Sequence, residues 1–308
     1  MKSSYSSEVK NYLCERTCIE AGLAKGGKDK KIPKCCAEAF VYGALLFSKK
    51  HMISDVLTVD SEPFSELLTY IFMQYMHFSP VVEQRLYRGK ERYDVKLEGK
   101  GVREFFDRFS AAEDLSDFIS CNECTAYFLR GAFIACGTVT DPDKSYHLEF
   151  ITPGEKIAEA LFSLLLVEGK EARLIKRRNN HIVYIKGSER ISDFFTEIGA
   201  GRFALDVIEK SIEKEIKNNL NRNCNCENSN TRKTVAAFVE FNLAVEKIKD
   251  RGMWNTLPEE LRRVAELRLK YPDASLSELC LLDEEVTLSR SGLNHRLKKI
   301  TEIAKDIK

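Results

Sequence analysis

The pattern of apolar and polar positions predicts the same series of elements twice in the first two-thirds of the chain. A short apolar helix with a central glycine is predicted at AFVYGALLFSKKHM, from Ala39, and again at YFLRGAFIACGTVT, from Tyr127. A strand end and an amphipathic helix follow each one, at VDSEPFSELLTYIFMQYM and ITPGEKIAEALFSLLLVE. Two alternating runs around a polar turn then predict a hairpin, and a helix with paired phenylalanines ends each copy. Because these elements recur in one order at a spacing of about 90 residues, we interpret them as an internal repeat.

The repeat defines a first domain made of two α+β units. We place this domain at residues 1–208 and its two copies at about 35–111 and 124–200. A further helix is predicted before the first copy, starting at Ser6-Ser7-Glu8. There a serine hydroxyl can accept from an unpaired N–H, and a glutamate suits the positive end of the helix.

A helical connector is predicted over residues 209–254. It begins with a narrow apolar stripe at four-residue spacing, formed by Ile208, Ile212, Ile216 and Leu220. The segment NRNCNCENSN predicts a turn or flexible joint, because asparagine side chains compete for backbone hydrogen bonds. A second amphipathic helix follows and ends at Gly252.

The last segment, residues 255–308, has an all-helical pattern. One helix carries Pro258 in its first turn, and a capping box of Ser275 and Glu278 opens a short second helix. DEEVT, at 283–287, predicts a turn, and Ser289 is expected to cap the final helix. Two short helices followed by such a final helix predict a helix-turn-helix.

The composition is that of a globular protein without a membrane segment. Hydrophobic residues make up 44% of the chain and charged residues 31%. No apolar run approaches the roughly 20 residues that a membrane span needs, and the N-terminus lacks the apolar core of a signal peptide. We therefore expect a cytoplasmic protein with no membrane partner. The net charge is only +1, so any nucleic-acid surface must come from local clustering of cations.

The final helix provides such a cluster. Between Ser289 and Ile300 the sequence has four Arg or Lys residues and no acid. Cations displace counterions from DNA phosphates, and guanidinium, amide and imidazole groups can reach base edges in the major groove. We favour DNA binding over a merely solvated face. The candidates for base edges are Arg290, Ser291, Asn294 and His295, with Ser289 at the helix start. The candidates for phosphate are Arg296, Lys298 and Lys299.

The two hairpins are candidates for a second surface. The second one carries Lys176, Arg177, Arg178, His181 and Lys186. For it, binding of DNA or of a partner protein and simple solvation are equally supported. The first hairpin carries Arg85, Arg88, Lys90, Arg92 and Lys96. Acidic residues between these cations dilute their field, which favours solvation.

Ten cysteines raise the question of a metal site. Without a secretory signal they are expected to be reduced thiols. Of the close pairs, Cys35-Cys36, Cys121/Cys124 and Cys224/Cys226, only Cys121/Cys124 has the C-x-x-C form, and zinc sites usually show two such pairs. We favour buried structural thiols, and we expect no metal and no cofactor. A thiol-based or metal-dependent sensor built on Cys35, Cys36, Cys121 and Cys124 stays open.

YFLRGAFIACG resembles a LAGLIDADG helix, and AFVYGALLFSK does so more weakly. The resemblance implies that Gly43 and Gly131 let the two helices pack closely at a domain two-fold, beside a sheet that lies along DNA. In active nucleases of that superfamily an acid near the end of each helix binds a divalent metal, because the metal needs hard oxygen ligands to polarise phosphate and activate water. Five residues after the glycines this chain has Ser48 and Cys136, so no catalytic residue is expected.

The ordered set SSEVK, Cys35-Cys36, YFLRGAFIACGTVTDPDKSYHLEF, NRNCNCENSNTRKTV and LSRSGLNHRLKKI resembles the WhiA family over nearly the whole chain. The resemblance implies an α+β fold: a tandem-repeat LAGLIDADG-like pseudo-dimer with a saddle-shaped antiparallel sheet, followed by an all-α helix-turn-helix domain. It also implies a nucleoid-associated, sequence-specific transcription regulator acting in cell division, chromosome segregation or sporulation. The expected partner is double-stranded DNA, with another regulatory protein as a further candidate. The chain departs from the family at Cys121-Asn-Glu-Cys124, where adjacent cysteines are expected.

The alternative function is that of a divergent metal-dependent DNA endonuclease. Asp141, Asp143 and Glu149 follow the second glycine-centred helix and are the acids it would use. We favour a turn at Asp141-Pro142, because proline fixes φ there.

Overall fold

The computed structural model describes residues 3–23, 32–48, 56–111, 115–152, 154–282 and 288–307. The predicted turn at 283–287, residues 49–52 of the first glycine-centred segment and the side chain of Lys90 lie outside what it describes. The chain divides into two compact units, Met1–Lys214 and Glu215–Lys308.

The first unit contains a leading helix and the two copies. The leading helix is α1, Tyr5–Ala21. The first copy comprises α2 Lys34–Leu46, β1 Val56–Val59, α3 Glu62–Met76, β2 Ser79–Tyr87, β3 Lys90–Glu98 and α4 Val102–Ala111. After a 3-10 turn at Leu115–Phe118, the second copy comprises α5 Cys124–Cys136, β4 Gly137–Val139, β5 His147–Thr152, α6 Glu155–Val167, β6 Arg173–Arg177, β7 Asn180–Lys186 and α7 Ser188–Glu197.

Each copy forms its own antiparallel sheet. The strand orders are β1-β3-β2 and β4-β5-β7-β6. The predicted hairpins are confirmed, with turns at Arg88-Gly89 and Arg178-Asn179. Arg88 and Arg178 both have positive φ, at 51° and 56°, so the two copies share even this uncommon backbone conformation.

The glycine-centred helices α2 and α5 pack against each other at the middle of the unit. A Cβ atom added to Gly43 would lie 2.1 Å from the carbonyl oxygen of Phe128. A Cβ atom added to Gly131 would lie 2.1 Å from the carbonyl oxygen of Phe40. The contact is symmetric between the copies, and only glycine permits the backbones to approach this closely.

One helix, α8, runs from Gly201 to Asp250. The prediction of a turn or joint at NRNCNCENSN is therefore wrong. Each end of α8 is anchored in a core: Val207 is buried in the first unit, and Val245 and Ile248 are buried in the second. A helix that is nucleated on both sides propagates at little cost, and an asparagine costs only about 0.6 kcal/mol relative to alanine. The predicted apolar stripe is present, but Ile212, Ile216 and Leu220 are exposed.

The second unit packs the end of α8 against three helices, with a 3-10 turn at Trp254–Thr256 between them. These helices are α9 Glu259–Lys270, α10 Leu276–Leu282 and α11 Arg290–Asp306. The predicted capping box is confirmed, because the Ser275 N–H donates to Glu278 at 2.7 Å and the Glu278 N–H donates to Ser275 Oγ at 3.3 Å. Within the described ranges, no helix combines the length and apolar run that crossing a bilayer requires.

Candidate nucleic-acid interface

Helix α11 has one buried face and one exposed, cationic face. Its buried side chains are Leu293, Leu297, Ile300 and Ala304, as predicted. On the opposite side, His295, Lys298 and Lys299 are exposed. The 3.6-residue period places the cations away from the core, so that the helix can present them to a ligand without losing its packing.

The helix start is capped by Ser289, also as predicted. Its hydroxyl accepts from the Gly292 N–H at 3.2 Å and lies 3.0 Å from the Ser291 hydroxyl. The cap engages the Ser289 side chain, which leaves Arg290 and Ser291 as the exposed residues of the first turn. A helix N-terminus carries partial positive charge, so this end favours an anionic partner.

Arg296 is placed differently from the other seven predicted residues. Its guanidinium pairs with Glu260 of α9 at 3.0 Å, and its side chain is only 28% exposed. A phosphate contact by Arg296 would have to replace this ion pair, whereas Lys298 and Lys299 point away from the core. The sequence pattern did not separate Arg296 from the lysines, because Glu260 is 36 residues earlier.

A groove of the second unit extends the cationic face. It has a volume of about 670 Å³ and is lined by Arg290, Asn294 and Lys298 of α11. Lys233 of α8 and Lys305 of α11 also line it, and the sequence analysis missed both. Glu240 lies 3.5 Å from the Lys305 ammonium, so this end of the groove is partly neutralised. No local motif points to Lys233, which reaches the groove only through helix packing.

A buried arginine supports the helix-turn-helix from inside. Arg268 of α9 is 4% exposed and donates to the carbonyl oxygens of Ala274 and Thr234. Its guanidinium also lies over the ring of Phe238, 5.4 Å from the centroid. Burial lowers the pKa of Arg268, although arginine stays protonated throughout the ordinary pH range. Arg268 thus ties α8, α9 and the start of α10 together.

The cations of the second hairpin do not form one surface. Register pairs Arg177 with Asn180 and Arg173 with Tyr184, and places Lys186 two residues beyond Tyr184 on the same face. Lys176 pairs with His181 and therefore points to the opposite face, while Arg178 lies in the turn. Of the five predicted residues, Arg177 and Lys186 share one sheet face, and Lys176 and His181 share the other.

Three of the five cations of the first hairpin are paired with acids. Arg85 contacts Asp94 at 2.6 Å, and Arg92 contacts Asp60 at 3.3 Å. Lys96 contacts Glu98 at 3.0 Å. This pairing agrees with the interpretation of a solvated face.

The ends of α2 and α5 meet at a cavity of about 430 Å³. Ser48 and Cys136, which the sequence resemblance aligns with the nuclease acids, both line it and are each 6% exposed. The Ser48 hydroxyl donates to the Leu45 carbonyl at 3.0 Å. Asp60 also lines the cavity, but it is the carboxylate that pairs with Arg92.

The acids of the alternative nuclease hypothesis have local roles. Asp141 forms the expected turn, accepting from the Asp143 N–H through its side chain at 2.9 Å. Asp143 pairs with Lys210 at 3.5 Å, and Glu149 contacts His147 at 3.2 Å. The turn interpretation of this segment is therefore confirmed.

Four cysteines come together at the other end of α2 and α5. Among the residues that the structure describes, Cys35, Cys36, Cys121 and Cys124 are the only group of three or more His, Cys, Asp or Glu side chains close enough to hold one metal ion. A hydrogen bond from the Cys124 thiol, with one from the Glu123 backbone, lowers the pKa of Cys121 to about 7. Burial raises the pKa of Cys36. The sequence left this set of four open as a sensor site but favoured separate structural thiols, because the convergence depends on the packing of the two copies.

Comparisons with known proteins agree with this architecture. Residues 125–217 match the family model described as the WhiA LAGLIDADG-like domain, and residues 220–304 match the WhiA C-terminal HTH domain. The chain is 34% identical to a probable cell division protein WhiA of Clostridium botulinum, over 99% of both chains. It is 33% identical to the protein of the same name from Clostridium perfringens, over 99% of this chain and 98% of that one. The fold is that of full-length DUF199/WhiA from Thermotoga maritima, at 24% identity, a TM-score of 0.59 and 98% coverage of both chains.

Proposed function

The chain belongs to the WhiA family, and on that basis we propose that it is a sequence-specific DNA-binding transcription regulator acting in cell division. The curated relatives are named probable cell division proteins, which supports target genes of that process, with chromosome segregation and sporulation genes as further targets. On this proposal the protein acts at the nucleoid.

The exposed face of α11 is the observation that carries the proposal. Arg290, His295, Lys298 and Lys299 are exposed on a helix whose other side is buried in the second unit. Arg290 and His295 can reach base edges, and Lys298 and Lys299 can neutralise phosphates. A helix fixed in this way enters the major groove at little cost in conformational freedom.

We also propose that the first unit does not cleave DNA. In the nuclease superfamily that this unit resembles, metal-assisted phosphodiester hydrolysis needs a carboxylate near the end of each paired helix. Ser48 and Cys136 stand there, and Asp60 is engaged by Arg92. The unit then serves as a scaffold for DNA or protein contact, with Arg177 and Lys186 as its candidate contacts.

The test is a binding measurement on the full chain with DNA fragments selected by the protein itself from genomic DNA. We expect Arg290→Ala to weaken binding to the selected sequence by about tenfold, and binding to random DNA less, because a base contact is worth about 1–3 kcal/mol. Lys298→Ala should weaken both equally and reduce the salt slope by about 1. Arg251→Ala, which removes an exposed cation from another segment, is the control.

The variant Arg296→Ala tests whether the position of a cation on α11 matters, or only its charge. Because Arg296 is paired with Glu260, we expect Arg296→Ala to weaken DNA binding less than Lys298→Ala does. Unchanged affinity in both Arg290→Ala and Lys298→Ala would contradict the proposed interface. Nicking of supercoiled plasmid in the presence of magnesium or manganese would contradict the inactive scaffold.

A further inference from the structure

Four thiols from the two copies converge at one point of the first unit. Cys35 and Cys36 lie in the first turn of α2, Cys124 is the first residue of α5, and Cys121 lies three residues before it. All four sulfur atoms lie within 4.8 Å of one another. The convergence is a consequence of the repeat, since each copy brings one pair of cysteines to the start of its central helix.

The spacing of the sulfur atoms is that of a tetrahedral metal site. Four of the six Sγ–Sγ distances are 3.4 Å for Cys121–Cys124, 3.5 Å for Cys36–Cys121, 3.8 Å for Cys35–Cys121 and 3.9 Å for Cys36–Cys124, and the other two are at most 4.8 Å. Four thiolates bound to one zinc ion at about 2.3 Å form a tetrahedron with edges of about 3.8 Å. The observed distances lie on both sides of this value.

Other arrangements of four cysteines fit less well. A disulfide needs its sulfur atoms about 2.05 Å apart, and the shortest of these distances is 3.4 Å. An iron–sulfur cluster places several iron and sulfide atoms between its cysteine ligands, which needs a wider spacing than 4.8 Å. Four unliganded thiols in one place would pack together only as weak hydrogen-bonding groups.

We propose that Cys35, Cys36, Cys121 and Cys124 bind one zinc ion as a closed, structural tetrathiolate site. Soft thiolate ligands select zinc over magnesium or calcium, and four protein ligands leave no open position for catalysis. Binding releases the thiol protons to solvent, because the ligands must be thiolates. The positive N-terminal ends of α2 and α5 favour this charge, and neither helix has a side-chain cap there.

The proposed site would act as a cross-link between the copies. Gly43 and Gly131 fix the two helices at their middle, and the zinc ion would fix them at their N-terminal ends. Cys36 and Cys124 are fully buried, while Cys35 and Cys121 are partly exposed, so the ion could be removed by a chelator without unfolding. This inference does not depend on the proposed DNA binding.

The first test is metal analysis of the untagged full chain, purified under reducing conditions and reconstituted with zinc. We expect about one zinc ion per chain and an X-ray absorption spectrum with four sulfur neighbours at about 2.3 Å. Absence of bound metal after reconstitution, a first shell with nitrogen or oxygen atoms, or a disulfide among these cysteines would overturn the proposal.

The second test uses matched cysteine variants. Cys36→Ser and Cys121→Ser should lose zinc on dialysis against metal-free buffer without a chelator, and Cys224→Ser/Cys226→Ser, at exposed positions on α8, should keep it. Zinc retained in both ligand variants, or lost from the control, would refute the assignment.

A readout on the unaltered chain avoids the risk that a variant fails to fold. Alkylation of Cys35 and Cys121, followed by mass spectrometry, should be slow with zinc and fast after chelation, with the rate at Cys224 unchanged. Equal rates at Cys35 and Cys121 with and without chelator would count against the site.

Discussion

At the residue scale, the packing of the two copies depends on positions where a single added group has no space. Gly131 is one of them, since a Cβ atom there would lie 2.1 Å from the Phe40 carbonyl oxygen, and this oxygen belongs to backbone that cannot rotate away. The sequence indicated a special role for this residue through its place in a repeated apolar helix. The partner atom could be known only from the structure.

We expect Gly131→Ala to lower the free energy of unfolding by about 3 kcal/mol or more, because the two helices must separate to accommodate the methyl group. Urea denaturation followed by circular dichroism measures the change. Gly201→Ala, at the start of α8 with no atom within 4 Å of the added Cβ, is the control and should be nearly neutral. Equal stability of the two variants would mean that α2 and α5 are not in backbone contact.

A buried ion pair links α1 to α5. Arg130 is 4% exposed and contacts Glu20 at 2.5 Å, Thr17 at 3.1 Å and the Ile198 carbonyl oxygen at 2.7 Å. Burial alone would raise the pKa of Glu20, but the charge of Arg130 and the hydrogen bonds from Arg130, Arg16 and Tyr127 outweigh it and lower the pKa. No local pattern in the sequence indicates this pair, because the two residues are 110 positions apart.

The pH dependence of stability follows from this shift. A carboxyl whose pKa is lower in the folded state stabilises the fold above its unfolded value of about 4.3. That contribution is lost as the pH falls below about 4.3 and then through the lower pKa that Glu20 has in the folded state. Glu20→Gln should therefore lower the free energy of unfolding by about 2 kcal/mol at neutral pH. The free energy of unfolding of this variant should also change less as the pH falls through the acid range. Glu15→Gln, at an exposed position of α1, should keep the profile of the parent chain.

At the element scale, the sequence correctly predicted the hairpins and helix caps, which depend on residues close together in the chain. The hairpins at Arg88-Gly89 and Arg178-Asn179 and the caps at Ser275 and Ser289 depend on neighbours a few residues away, and they were confirmed. The continuous helix α8 was missed, because local asparagine preferences are overridden by cores that anchor both ends. The pairing of Arg296 was missed because its partner belongs to a distant element. The convergence of the cysteines was left open but not favoured, because spacing along the chain does not show that the two pairs meet.

The asparagine-rich part of α8 should become more stable as a helix when its asparagines are replaced by alanine. Replacing Asn223, Asn225 and Asn228 together by alanine should slow amide hydrogen exchange across residues 221–232, because each substitution favours the helix by about 0.6 kcal/mol. Exchange in α9 should be unchanged. If the segment were a turn, the substitutions would not increase its protection.

At the scale of the whole molecule, the balance of charge limits how the protein can bind DNA. The chain has 48 basic and 47 acidic side chains, so its overall field neither attracts nor repels the duplex. Many of its surface cations are already paired with acids, as in the first hairpin and at Arg296. On the proposed function, binding would then depend on the exposed cations of α11 and on any that the sheet of the second copy adds.

The salt dependence of affinity separates these two contributions. Each neutralised phosphate contributes about −0.9 to the slope of log affinity against log salt concentration. If Lys298 and Lys299 make the main phosphate contacts, we expect a slope of about −2. A slope near −4 that falls to about −2 in the variant Arg177→Ala/Lys186→Ala would show that the sheet also lies on DNA, because these two residues share its outer face. A slope that stays the same in this variant and falls in Lys298→Ala/Lys299→Ala would confine the contact to α11 and leave the sheet face for a protein partner.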